Sequence, residues 1–328
     1  MRTLGFFLLL LTVSTAHADC PIEAEGETSL DCPWAEIARQ AATIIKSDPT
    51  PETSAPKIEG LLQATAPDFL KRLKHEGALS RNVKKLWGLS INYDENAKGT
   101  IIPEALIDVI LAAAHAPARN DRIVNAGFEH TYGYLLSILK TPYGYKRLRW
   151  VRPDIENGFG LEQGTISPAP KSGGLYMNVT YFAGQIAFRG KDAGDLAAKK
   201  LLRKARGVAS SLRRYPYSSL HGRRLTETVT IAEGRTVELR TDFVPFPKAS
   251  GDATGGNTEL LVYSIRDSAE PLPYLISAFP IAKGFSDGAL NPANLGEGKP
   301  VMTRYNAFVP GMTDTKILLT GKREASSY

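Results

Sequence analysis

Residues 227–244 read ETVTIAEGRTVELRTDFV and carry the clearest strand pattern in the chain. From position 237 to position 243, Val, Leu, Thr and Phe alternate with charged residues, which is typical of a strand buried on one face. The AEGR sequence at 232–235 lies between two such runs and predicts a hairpin turn. The stretch therefore predicts two neighbouring antiparallel strands, at 227–232 and 236–244.

The rest of the second half continues this pattern of short apolar runs separated by turn residues. The 29 Gly and 21 Pro residues of the chain favour a fold with many turns over a helix bundle. A composition of 43 % hydrophobic and 23 % charged residues excludes a disordered, collagen-like or coiled-coil chain. Further strands are predicted at 129–139, 145–152, 174–189, 260–266, 274–280, 301–309 and 316–320.

The first half has a helical pattern, because apolar residues recur at three- and four-residue spacing between positions 34 and 116. Pro49 ends the first run, and Pro67 and Pro103 occupy positions that favour a helix start. A further helix is predicted after the cap at 80–82. Helices followed by strands predict an α+β protein, with an N-terminal helical part, largely antiparallel β-sheets and one inserted basic helix. The predicted regions, 19–120 and 121–328, are also compatible with one continuous domain.

Residues 1–18 have the three parts of a signal peptide. A positive start precedes the apolar run at 6–13, and Ala16 and Ala18 supply the small residues of a cleavage site. A membrane anchor is the alternative, but it needs about 20 apolar residues, and this run is about half as long. We therefore expect a soluble mature protein that is periplasmic or secreted and has no transmembrane segment.

The mature chain retains two cysteines, Cys20 and Cys32. An oxidising compartment predicts a disulfide between them. A metal site is the alternative, but no histidine lies near the pair, so the ligand set would be incomplete. The chain contains no H-E-x-x-H or C-x-x-C pattern, no P-loop and no G-x-S-x-G elbow. Any cofactor is therefore unknown from the sequence.

The inserted helix, predicted at 192–212, opens a basic segment at 196–226 that contains nine cations and no Asp or Glu. An ordinary solvated helix face mixes both signs of charge. The segment predicts a surface for RNA, another polyanion or an anionic membrane, with Tyr215 and Tyr217 as stacking faces. A solvated helix whose acids come from elsewhere in the fold is the alternative. The predicted binding residues are Lys199, Lys200, Arg203, Lys204, Arg213, Arg214, His221, Arg223 and Arg224.

His130 ends the sequence Asn-Ala-Gly-Phe-Glu-His at 125–130. This motif resembles that of the EndoU-type endoribonucleases, in which the first catalytic histidine follows Gly-Phe-Glu. In that family a second histidine lies on the partner strand of a hairpin, and Lys146 stands at the matching position here. The stretches 260–265 and 303–309 are similar to the final strands of the family. The second of these strands carries a Thr or Ser and a Tyr, which are Thr303 and Tyr305 in this chain.

The resemblance implies RNA cleavage by attack of a 2′-hydroxyl on the adjacent phosphate, which needs a base, an acid and a cation. It implies catalytic roles for His130, Lys146, Thr303 and Tyr305, with His130 as the base. Because lysine transfers protons poorly at neutral pH unless its pKa is lowered, Lys146 is expected to hold a phosphate. Loss of one proton-transfer partner typically costs about 10²- to 10⁴-fold in rate. This cost favours a weak or altered enzyme with a degenerate active site, or a non-catalytic relative, over a normal member of the family.

Two functional hypotheses of different classes follow. The first is an exported enzyme that cleaves a phosphodiester. The second is a non-catalytic envelope or secreted protein that binds a polyanion through its basic helix, and a structural protein without a specific partner is a third. The hypotheses differ at His130, because only the enzyme needs this side chain for more than packing.

Overall fold

The computed structural model describes residues 33–116, 118–120, 122–141, 144–166, 174–248, 254–313 and 319–328. The predicted signal peptide and both cysteines lie outside these residues, so the disulfide stays a prediction. Within the described ranges, no helix combines the length and the apolar character needed to cross a membrane.

Four helices form the N-terminal part; three of them correspond to helices that the sequence predicts, whereas the helix that begins at Pro51 is not predicted. Three of them begin at a proline, which suits the first turn of a helix because its missing N–H has no partner there. Their apolar residues, including Ile58, Leu62 and Leu73, are fully buried in the common core. The helix predicted after 80–82 is only a 3₁₀ turn, Val83–Leu86. The helices are α1 (Pro33–Ser47), α2 (Pro51–Thr65), α3 (Pro67–Leu79) and α4 (Glu104–Ala113).

A six-stranded antiparallel sheet forms most of the C-terminal part, and the α+β class is therefore confirmed. Its strand order is β8-β7-β6-β5-β11-β9. The predicted hairpin is present, with Val229 opposite Val237 and Gly234 at a φ of 73° in the turn. The strands are β5 (Arg223–Thr230), β6 (Thr236–Pro245), β7 (Glu259–Asp267), β8 (Tyr274–Ile281), β9 (Gly296–Val301) and β11 (Leu319–Ser327).

A second, three-stranded sheet has the order β10-β1-β2 and meets the edge of the large sheet at β8. Its strands are β1 (Leu89–Ile91), β2 (Ile123–Asn125) and β10 (Ala307–Phe308). The Gly88 N–H donates to the Leu275 carbonyl at 2.8 Å, which joins the two sheets. The strand predicted at 301–309 is interrupted, because Tyr305 and Asn306 have φ values of 57° and 63°.

Three strand predictions are wrong, because the segments 129–139, 145–152 and 174–189 are largely helical. Twelve of the thirteen residues of α8 (Leu175–Ala187) are buried. A helix that is buried on all sides lacks the polar stripe that reveals its period, so its aromatic and β-branched residues imitate a buried strand. The other helices in this region are α5 (Ala126–Phe128), continued by a π-helical turn (Glu129–Gly133), α6 (Leu148–Val151) and α7 (Asp154–Phe159). A short hairpin of β3 (Lys140–Thr141) and β4 (Gly144–Tyr145) precedes α6.

The predicted basic helix consists of two helices, α9 (Ala193–Arg203) and α10 (Ser210–Arg214). The Asp192 side chain caps α9 by accepting a hydrogen bond from the Asp195 N–H at 2.9 Å. Gly207 separates the two helices at a φ of 73°, a backbone conformation that favours glycine. A last short helix, α11 (Lys283–Ala289), follows β8.

Candidate functional site

The π-helical turn after α5 places Glu129 and His130 between the two sheets. Phe128 stacks on Tyr176 of α8 at a centroid distance of 4.0 Å, which fixes this helix in the core. A Cβ on Gly127 would approach the Trp87 ring to 2.6 Å, so only glycine allows this packing. Both Glu129 and His130 are buried, at 0 % and 1 % exposure. π-helical turns inside α-helices are frequent at functional sites.

The hydrogen bonds of His130 define its tautomer. Its Nδ1 lies 2.5 Å from the carbonyl oxygen of Ile276 on β8. Because a carbonyl oxygen only accepts, Nδ1 carries the proton, and Nε2 of the neutral ring has a free lone pair. This Nε2 has no hydrogen-bond partner among the described residues and lies 3.5 Å from Oε2 of Glu129.

The pKa values of Glu129 and His130 shift in opposite directions. Burial raises the pKa of Glu129 to about 7, although Ser90 donates a hydrogen bond to its Oε2. Burial, together with the nearby Arg149 and Lys146 cations, lowers the pKa of His130 well below its usual range. Both shifts disfavour a Glu129–His130 ion pair and favour a neutral pair. In that pair, the protonated carboxyl can donate to Nε2 of His130.

Two cations complete a charged cluster, which we define as Asp94, Glu129, His130, Lys146 and Arg149. Nζ of Lys146 lies 3.1 Å from Oδ2 of Asp94. Burial opposes ionisation of Asp94, but the Ala97 N–H and the Lys146 cation outweigh it, so the pKa of Asp94 is lowered. Burial and Arg149 lower the pKa of Lys146.

Arg149 is the member of the charged cluster without a carboxylate partner. Its guanidinium lies 4.0 Å from the centroid of the Phe279 ring and 5.1 Å from that of Tyr134. One Nη1–H bonds Oγ of Ser277 at 3.4 Å, and burial lowers the pKa of Arg149. In the part of the chain that the structure describes, no carboxylate lies within ion-pair distance of this half-buried guanidinium. Buried cations are normally paired, so this environment is typical of a site for an anion.

Three of the four predicted catalytic residues converge on this region. His130 and Lys146 belong to the charged cluster. Tyr305 lies close enough to Arg149 to favour its charged form electrostatically, although burial lowers the pKa of Arg149 overall. The ring centroids of Tyr305 and Phe279 are 5.2 Å apart, and the Arg149 guanidinium lies over the same Phe279 ring. The positive φ of Tyr305 adds backbone strain, which is common near functional sites.

The structure also changes the predicted arrangement. His130 lies in the π-helical turn and Lys146 in the turn after β4, so the expectation that they occupy partner strands of one hairpin is wrong. The Thr303 hydroxyl bonds that of Thr313 at 3.1 Å and holds the loop before β10. Thr303 therefore has a structural contact, and none of its described hydrogen bonds reaches the charged cluster.

Sequence reasoning missed Asp94, Glu129 and Arg149 as members of the site. Glu129 precedes His130 in the quoted motif, and Arg149 follows Lys146 by three residues, across the turn that leads into α6. This closeness in sequence could have suggested Arg149 as a neighbour of Lys146. Asp94 is far from both in sequence, and only the fold brings it to Lys146.

The predicted basic residues divide into paired and unpaired groups. Arg223 binds Glu259 at 3.0 Å and Asp287 at 2.9 Å, and Arg224 binds Asp242 at 2.9 Å. For these two residues, acids from elsewhere in the fold supply the missing negative charge. Lys199 donates to the Gly190 carbonyl at 3.2 Å, and His221 is exposed. The other cations of the basic segment are exposed and form no ion pair among the described residues: Lys200, Arg203, Lys204, Arg206, Arg213 and Arg214.

No family model, curated protein or solved structure matches this chain. The EndoU-type resemblance therefore stays a prediction that rests on the quoted residues. No group of three or more metal-ligating side chains is found within the described ranges.

Proposed function

We propose that this protein is an enzyme that cleaves a phosphate ester, with the charged cluster as its active site. The single observation that carries the proposal is the half-buried Arg149 guanidinium without a carboxylate partner among the described residues. Guanidinium binds phosphate oxygens through a planar fork of donors, and Ser277 and Tyr134 occupy only part of the five N–H donors of Arg149.

The charge balance of the cluster also favours an anion. Lys146 and Arg149 contribute two positive charges, whereas Asp94 contributes one negative charge. Burial raises the pKa of Glu129 to about 7, so its carboxyl carries less than a full negative charge at neutral pH. The cluster is therefore net positive in a poorly solvated environment, where electrostatic attraction is strong.

Lys146 and Arg149 are the cluster members that we assign to direct substrate contact. The Lys146 side chain is 13 % exposed, whereas His130 is 1 % exposed and held by Ile276. We therefore assign His130 and Glu129 to a buried, proton-sharing pair. This pair does not contact the substrate and helps to position Lys146 and Arg149. This differs from the role that the family resemblance implies for His130 as the base.

RNA cleavage is one reaction of this class. The 2′-oxygen would form a bond to the adjacent phosphorus as it loses its proton to a base. The bond from phosphorus to the 5′-oxygen would break, and that oxygen would take up a proton. Cations that contact the phosphoryl oxygens stabilise the charge that develops in this step.

The test is the cleavage of RNA and of bis(p-nitrophenyl) phosphate by purified protein, with and without divalent metal. We expect turnover that Arg149→Gln reduces by about 10²- to 10³-fold, because a charge-stabilising donor is lost. Lys74→Gln is the matched control, since this exposed cation lies on α3 and pairs with Glu59 instead. Absence of cleavage of both substrates under both conditions would contradict the enzyme proposal.

Binding of the anion has a separate readout. Inorganic phosphate should raise the melting temperature of the wild type and of Lys74→Gln, because a ligand that binds the native state stabilises it. Arg149→Gln should lose this stabilisation. An equal phosphate effect in all three proteins would show that the anion binds elsewhere.

A further inference from the structure

The exposed cations of α9 and α10 form a second charged surface, which we call the basic face: Lys200, Arg203, Lys204, Arg206, Arg213 and Arg214. A hydrogen bond from Arg213 to the Ala205 carbonyl joins α10 to the end of α9, so the two groups of cations are neighbours. None of the six forms an ion pair with another described residue. The positive charge of the basic face is therefore not neutralised by described acids and can attract an anionic partner.

The fold presents α9 as a fixed helix. Its inner residues Ala198 and Leu202 are fully buried. Asp195, also buried, binds Arg240 of β6 at 3.1 Å. The one acid of α9 is therefore turned inward and neutralised, and the outer side carries cations only.

An exposed leucine accompanies these cations. Leu196 is 52 % exposed, and it is one of three large hydrophobic residues that are exposed among the described residues. Lys200 and Arg203 follow it by four and seven residues, so all three lie on the same side of α9. A helix side that combines cations with an outward apolar residue suits the interface of an anionic bilayer.

The tyrosines of the basic segment do not offer free stacking faces for nucleotide bases. Tyr215 and Tyr217 pack against each other at 5.2 Å and against Phe182 at 5.9 and 5.8 Å. Single-stranded nucleic acids are normally held in a groove lined by available aromatic rings. These contacts favour a lipid surface over RNA as the partner.

We propose that the basic face docks on an anionic lipid bilayer, with Leu196 inserted among the headgroups. The cations would lie close to the lipid phosphates, and each contributes about a fivefold gain in partitioning. This proposal concerns a different surface from the charged cluster, so it stands independently of the proposed enzymatic function.

The test is sedimentation of the full chain with vesicles of phosphatidylglycerol and phosphatidylcholine, compared with vesicles of phosphatidylcholine alone. We expect binding to the anionic vesicles only, weakening as salt is raised. The quadruple variant Lys200→Gln, Arg203→Gln, Lys204→Gln and Arg206→Gln should lose on the order of several hundredfold in partitioning. The control variant removes four exposed cations from other elements and should bind within a few-fold of the wild type: Lys46→Gln, Lys71→Gln, Lys85→Gln and Lys283→Gln.

Leu196→Ser separates the lipid proposal from nucleic-acid binding. It should weaken vesicle binding several-fold, whereas it should leave any binding of a single-stranded RNA oligonucleotide unchanged. Equal loss of binding in the quadruple variant and its control would overturn the proposal, since net charge alone would then explain binding. The proposal also fails if anionic vesicles do not bind, or if RNA binds through these cations more tightly than the vesicles do.

Discussion

Replacement of Glu129 by glutamine tests whether this buried carboxyl shares a proton with His130. Glutamine has the shape of the protonated acid and is neutral at every pH. Ser90 and Nε2 of His130 both lie near Oε2 of Glu129, so an NH₂ group at that position can donate to Nε2 of His130, as the protonated carboxyl would, and to the Ser90 hydroxyl oxygen, which can also accept. Glu129→Gln should therefore preserve the packing while it removes one titration.

The magnitude follows from the pKa of Glu129. Burial raises it from 4.5 to about 7 in the native state, and this difference corresponds to about 3 kcal/mol of unfolding free energy. Because the native protein binds this proton more tightly than the unfolded chain, the contribution is fully present below pH 4.5 and is lost as the pH rises through 7. The stability of Glu129→Gln relative to the wild type should therefore increase by about 3 kcal/mol over this interval.

His130 has the opposite dependence, since its native pKa is lowered. Its contribution is present above about pH 6.5 and is lost as the pH falls. In the wild type, the opposite pH dependences of Glu129 and His130 partly cancel in the free energy of unfolding. The informative quantity is therefore the difference in unfolding free energy between the wild type and Glu129→Gln at each pH.

The assay is urea unfolding of both proteins at several pH values between 4.5 and 8. Glu52→Gln, which removes one exposed carboxylate from α2, is the matched control. A wild-type-to-variant difference that stays constant within about 1 kcal/mol across this range would refute a raised Glu129 pKa.

Three further predictions concern stability. Gly127→Ala should destabilise the protein by about 1–3 kcal/mol in urea unfolding, because the added methyl group would collide with the Trp87 ring; an unchanged midpoint would contradict this packing. Lys98→Gly should stabilise it by about 0.5–1 kcal/mol, since Lys98 is exposed and has a φ of 50°; a lower melting temperature would be inconsistent with this reasoning. Asp94→Asn should cost stability above about pH 4 and progressively less as the pH falls below it, because the lowered native pKa of Asp94 makes its ionised form stabilising; a pH-independent cost, measured by unfolding at pH 3 to 7, would argue against the Asp94–Lys146 pair.

Local sequence patterns determined the elements in which polar and apolar residues alternate with a regular period. The strand pattern at 236–244 corresponds to β6, because alternation with a period of two is visible when one side is polar, although the polar residues Arg240 and Asp242 are themselves buried and paired. The helix starts at Pro67 and near Pro103 also follow from local chemistry. The segment 174–189 could not be assigned in this way, since α8 is buried on every side and its period is hidden.

Tertiary structure alone decided which ionisable groups form the candidate site. The motif around His130 drew attention to His130, Lys146 and Tyr305, but their charges and accessibility depend on distant elements. Arg224 is neutralised because β6 places Asp242 beside it, whereas the fold brings rings and hydroxyls to Arg149 and no described carboxylate. Desolvation and long-range pairing depend on the three-dimensional surroundings of a side chain, and these are not encoded in its immediate sequence neighbours.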